Sequence, residues 1–85
     1  MRHHFSRRDR RGELRFEIHI QLDLFGEREY VARVIKAVRI HASLGACPIR
    51  HAFGPHRGTT EQEALERATA DIDSWIITFG ATESR

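Results

Sequence analysis

Six histidines, a lone cysteine and thirteen arginines are the side chains of this 85-residue sequence with the most chemistry to offer. A zinc site needs three or four converging ligands, often with paired spacings such as two His three to five residues apart. His51 and His56 have such a spacing, but no cysteine pair accompanies them, and the adjacent His3 and His4 lack further ligands. A nucleophilic Cys47 would need a positioned base and a depressed pKa; beside Pro48 it reads as a small loop residue. No glycine run has the spacing that cradles phosphates or a dinucleotide, and no Ser, His and acid set is marked by a strained elbow. Carboxylates such as Glu63 and Glu66 fall on the wet side of an acidic helix, where no burial raises a pKa. The sequence therefore offers no catalytic residue, no cofactor and no metal ligand set, and a non-enzymatic protein is expected.

The arginines are unevenly placed. Arg2, Arg7, Arg8, Arg10 and Arg11 stand against Asp9 alone in the first twelve residues, while the remainder carries a net negative charge. The high isoelectric point thus belongs to the N-terminal segment rather than to a patch on a folded body. That segment holds only Met1 and Phe5 as apolar residues, too few to bury, and reads as a flexible basic arm able to contact nucleic-acid phosphates. Cys47 has no cysteine to pair with, so the fold must hold without an intrachain disulfide. No apolar stretch follows the basic start as a signal peptide would require, and none approaches the ~20 residues of a membrane helix. A cytoplasmic protein without a membrane segment is expected.

Those side chains need elements to hold them. Leu14, Phe16, Ile18, Ile20, Leu22 and Leu24 alternate without a break with polar residues, the period-two signature of a strand with one greasy and one wet face. Gly26-Glu27-Arg28 reads as a turn. Tyr30 to His41 is rich in β-branched residues and matches the first strand in length, which favours a second strand. Val31, Val34, Ile35, Val38 and Ala42 also fit a helical stripe with Gly45 as its stop, so a helix is the competing reading. Ile49 to Phe53 reads as a short third strand, followed by the breakers of Gly54-Pro55-His56-Arg57-Gly58. Thr60-Glu61-Gln62-Glu63 matches a capping box. Leu65, Ala68, Ile72, Trp75, Ile76 and Phe79 then mark one face of a helix ending before Gly80.

The resulting expectation is an α+β fold, β-β-β-α, in which a three-stranded antiparallel sheet is covered on one face by one C-terminal helix. Residues 1–12 form the arm, 13–80 the single domain and 81–85 a flexible C-terminus. One helix leaves the other sheet face open. Strict alternation along the second strand puts Val31, Arg33, Ile35, Ala37 and Arg39 there, a small apolar patch among charges and the candidate partner interface.

The segment from Tyr30-Val31-Ala32 through Gly58-Thr59-Thr60-Glu61-Gln62-Glu63-Ala64-Leu65-Glu66-Arg67-Ala68 to Trp75-Ile76 resembles the HicB-like antitoxin domain, a small bacterial family with the order strand, strand, strand, helix. The helix start is also similar to the last third of a double-stranded-RNA-binding domain. Gly45-Ala46-Cys47-Pro48 stands where the antitoxin family has a Pro-Asp-Leu-Pro-Gly-Cys-like loop, and no DNA-binding helix-turn-helix or ribbon follows within these residues. Thr59, Thr60, Glu61 and Glu63 occupy the helix start that in RNA-binding domains is basic. Val31, Ile35 and Ala37 on the open face, together with the antitoxin-like outline, point to a protein-interaction module that self-associates or holds a protein partner. The competing function is nucleic-acid binding through Arg2, Arg7, Arg8, Arg10 and Arg11.

Overall fold

A computed structural model describes residues 1–9, 11–25 and 28–80. The chain runs β1 (Arg2–Asp9), β2 (Gly12–Leu22), β3 (Tyr30–His41), β4 (Gly45–Pro48), β5 (Pro55–Gly58) and α1 (Glu61–Trp75), with a π-helical turn over Ile76–Gly80. All strand pairings are antiparallel. The sheet order is β1-β2-β3, with β4 and β5 end to end along the far edge of β3, β4 beside its C-terminal half and β5 beside its N-terminal half. The α+β class, the antiparallel sheet and the C-terminal helix agree with the sequence reading. Tyr30–His41 is strand rather than helix.

The alternating residues of β2 supply the core. Leu14, Phe16, Ile18 and Ile20 are all buried, and they meet Ala64, Ala68, Ile72 and Ile76, which follow one another every fourth residue along one side of the helical segment. Each large side chain sealed there contributes about 1.5–3 kcal/mol before chain entropy is subtracted. The expected apolar row continued through Leu22 and Leu24, but these are 37% and 64% exposed. The ladder ends at Leu22, and Leu24 lies beyond it.

Two expectations are corrected. Within the expected arm, Arg2–Asp9 is a strand that pairs with β2 along its whole length. Phe5, one of the segment's two apolar residues, stacks on Phe16 at 5.3 Å, so one aromatic contact and a complete ladder order a stretch that has little to bury. Ile49–Phe53 is not a strand. Short strands β4 and β5 flank it, and the chain between them arches out so that Phe53 sits edge-on to Phe16 at 6.0 Å and to Trp75 at 5.7 Å. Pro48 and Pro55 close the two short strands on either side, and proline has no N–H to carry a ladder onward. The expected 26–28 turn and the C-terminal segment 81–85 fall partly or wholly outside the described residues.

Helix α1 starts as its sequence demands. The Thr60 hydroxyl accepts from the Glu63 N–H at 3.0 Å, and the Glu63 carboxylate accepts from the Thr59 N–H at 2.7 Å. The box is therefore one residue wider than the usual reciprocal pair. Gly58 immediately precedes it because a Cβ there would lie 2.6 Å from the Ala64 nitrogen.

Candidate functional site

The register between β2 and β3 decides what the open face displays. Opposed residues on neighbouring strands share a face. Ile20 faces Ala32 and Ile18 faces Val34, but Glu17 faces Lys36 and Phe16 faces Ala37. Ile35 is thus an extra residue, a β-bulge, and the alternation of β3 changes phase across it. Before the bulge Val31 and Arg33 point to the open face; after it, Lys36, Val38 and Ile40 do.

The expected patch is consequently divided. Val31 is buried in a depression beside Leu24 and Phe25, Arg33 is exposed, and Ile35 is half-exposed at the bulge. Ala37 and Arg39 belong to the helix side, where Ala37 packs against the core and Arg39 grips Asp9 at 2.7 and 2.8 Å. In their place stand Val38 and Ile40, which with Ala46 of β4 form the apolar side of a depression of about 270 Å³ rimmed by Arg15, Glu17 and Lys36. The sequence did carry a trace of this arrangement. Lys36 interrupts the apolar row of Tyr30, Ala32 and Val34 at the point where the phase changes.

The charges separate by face. The strand registers put Arg2, Arg8, Arg15, Arg33, Lys36 and Arg57 on the open side, against Glu13 and Glu17. Arg15 donates to Glu13 at 3.0 Å, which holds the Glu13 carboxyl below its usual range and raises the guanidinium. Arg2 donates to Glu17 at 3.1 Å. Arg57 donates to Asp23 at 3.2 Å; the Phe25 N–H, then Arg57, lowers the Asp23 pKa. The helix on the other side carries Glu61, Glu63, Glu66, Asp71 and Asp73 against Arg67. Its Asp71 meets His56 at 2.8 Å, and Asp73 accepts from Arg7 at 2.8 and 3.4 Å.

The arginines of the supposed arm are therefore not a single phosphate-facing group. Arg2 and Arg8 lie on the open face, whereas Arg7 crosses to the helix and covers the Phe5 ring at 4.8 Å. The Arg11 side chain lines a groove with Arg50, Trp75 and Phe79, and Arg10 lies outside the described residues. The histidines are equally dispersed. His19 lies opposite Arg33, His41 ends β3, His51 packs on Phe53 at 4.6 Å and His56 holds Asp71. Among the described residues no group of three or more His, Cys, Asp or Glu side chains could hold a metal ion. Cys47 sits opposite Arg39 on β4, half-buried. Among those residues no helix is long and apolar enough to cross a membrane. No protein-family model, curated protein or solved structure matches the chain.

Proposed function

We propose that the chain is a non-enzymatic interaction module whose open sheet face receives the acidic, partly apolar surface of a protein partner. The observation that carries this reading is the depression at Val38, Ile40 and Ala46, apolar within and edged by Arg15, Lys36 and the Arg2-paired Glu17, on the face that α1 leaves uncovered. A contact of this kind combines a desolvated apolar centre with a charged rim that selects the partner. Charge also separates the two protein occupants named by the sequence. Two copies stacked through this face would oppose one basic surface to another, while an acidic surface would meet complementary charge.

A helical peptide with leucines along one side and glutamates along the other tests the reading, because a helix can bind a face but cannot add to a sheet edge. The expected result is NMR shift changes centred on Val38, Ile40 and Lys36, and affinity at least tenfold lower in Lys36→Glu and Ile40→Glu. Changes confined to other surfaces would overturn it. So would light scattering that shows a dimer of the chain alone which Ile40→Glu dissolves.

A further inference from the structure

Strand β1 lies at the end of the sheet, and its phase relative to β2 determines which backbone groups it leaves unpaired. Met1 and Ile20 exchange both hydrogen bonds, N–H to carbonyl at 3.1 Å and the reverse at 2.8 Å. In an antiparallel ladder such mutually bonded pairs recur every second residue. His3, Phe5, Arg7 and Asp9, opposite Ile18, Phe16, Leu14 and Gly12, therefore turn their amides inward to β2. Arg2, His4, Ser6 and Arg8 turn theirs outward. Over eight residues this rim contains no proline, and the register to β2 has no bulge, so the usual backbone devices that spoil an edge are missing.

Charge is the device present instead, and it determines which strand can pair. A second copy pairing antiparallel about Phe5, the register that uses all four outward residues, would set Arg2 and Arg8 of one copy against Arg8 and Arg2 of the other. Like charges directly opposed across strands are destabilising, whereas opposite charges contribute about 0.2–1 kcal/mol per pair. The rim thus repels its own kind and attracts a strand with acids at alternate positions.

We infer that the β1 edge is a strand-addition site for an extended acidic segment of a protein partner, held by the outward amides of Arg2, His4, Ser6 and Arg8 and selected by the arginines. Main-chain hydrogen bonds supply the affinity in this mode of recognition, and alternate side chains supply the specificity. The site uses backbone atoms at the rim rather than side chains in the Val38–Ile40 depression, so either surface can fail without the other.

Ser6→Pro is the decisive variant. Proline there removes an outward N–H and leaves the ladder to β2 untouched, the position in which an edge strand tolerates proline. The probe is a capped peptide of alternating glutamate and threonine, about eight residues long to match β1 at ~3.3 Å per residue. The expected outcome is NMR shift changes along β1, affinity lowered at least tenfold in Ser6→Pro and preserved in Ser6→Ala, and binding lost when lysine replaces glutamate in the peptide. If Ser6→Pro does not fold, N-methylation of the peptide serves in its place. Methyl groups on the peptide nitrogens of one alternate set should abolish binding, and those on the other set should not. Equal binding by Ser6→Pro or by the lysine peptide would overturn the inference, as would equal binding by both methylated peptides. A dimer of the chain alone that Ser6→Pro dissolves would assign the edge to a second copy and overturn it too.

Discussion

Arg39 on β3 closes two guanidinium nitrogens on the carboxylate of Asp9 on β1, at 2.7 and 2.8 Å, reaching past the whole of β2 between them. Asp9 lies opposite Gly12 and Arg39 opposite Leu14, so the contact runs diagonally across β2 on the helix side. The Asp9 side chain is completely sealed from solvent, and that of Arg39 is 13% exposed. Losing charge-assisted hydrogen bonds of this kind costs about 1.5–3 kcal/mol. Asp9→Ala should therefore unfold at distinctly lower urea concentration, and Arg39→Lys should be destabilised as well, since an ammonium cannot reproduce the two-pronged contact. The same pair sets an acid limit. The hydrogen bond from Arg39 holds the Asp9 pKa below its ordinary value despite burial, so its stabilisation is complete above the unfolded value of about 3.9 and is lost as pH falls through the depressed folded one. Urea midpoints measured down that range should fall less steeply in Asp9→Asn than in the parent protein.

The bulge makes a deletion informative. Without Ile35, the β3 sequence alternates in step with β2 from Tyr30 to Ile40, so Ala37 and Arg39 stay on the helix side. Deleting Ile35 should leave cooperative thermal unfolding intact. Deleting Ala37 instead shifts Val38, Arg39 and Ile40 to the opposite faces and breaks the contact to Asp9. That variant should lose cooperative unfolding, or show near-ultraviolet circular dichroism unlike the parent's.

Gly58 is required by proximity to the helix start. An added methyl would meet the Ala64 nitrogen at 2.6 Å and the Glu63 Cβ at 2.9 Å, both in or close to the backbone of the first turn. Overpacking of this kind typically costs about 1–3 kcal/mol. Gly58→Ala should lower the urea midpoint, whereas Gly54→Ala, with nothing within 4 Å, should not do so by packing.

Thr60→Ala removes the acceptor for the Glu63 N–H and should destabilise the protein by about 1 kcal/mol, with Thr60→Ser close to the parent. Hydrogen exchange at the Glu63 amide should accelerate in Thr60→Ala before exchange in the core does, which distinguishes fraying of the first turn from global unfolding.

The pieces legible in the sequence were those in which a local period or motif coincides with a tertiary need. Leu14 to Ile20 alternates because one side meets a helix, and Thr60 to Glu63 caps because the helix end needs acceptors. Strand β1 was illegible because its order comes from ladder bonds to β2, made by amides that every residue type possesses, and from one stacked pair, Phe5 on Phe16. Which β3 residues point to the open face is illegible for a different reason. Alternation assumes two residues per repeat, and one surplus residue at position 35 defeats it for everything downstream. Val38 and Ile40 thereby exchanged places with Ala37 and Arg39 between the inside and the outside of the protein.

Cations gathered on the strands and acids gathered on the helix give the molecule an electric dipole normal to its sheet. In the field of an acidic protein such a body rotates before contact, presenting its strands first, so orientation raises the association rate. Beyond the ~8 Å screening distance of physiological salt that torque fades, and added salt should slow capture far more than it hastens release.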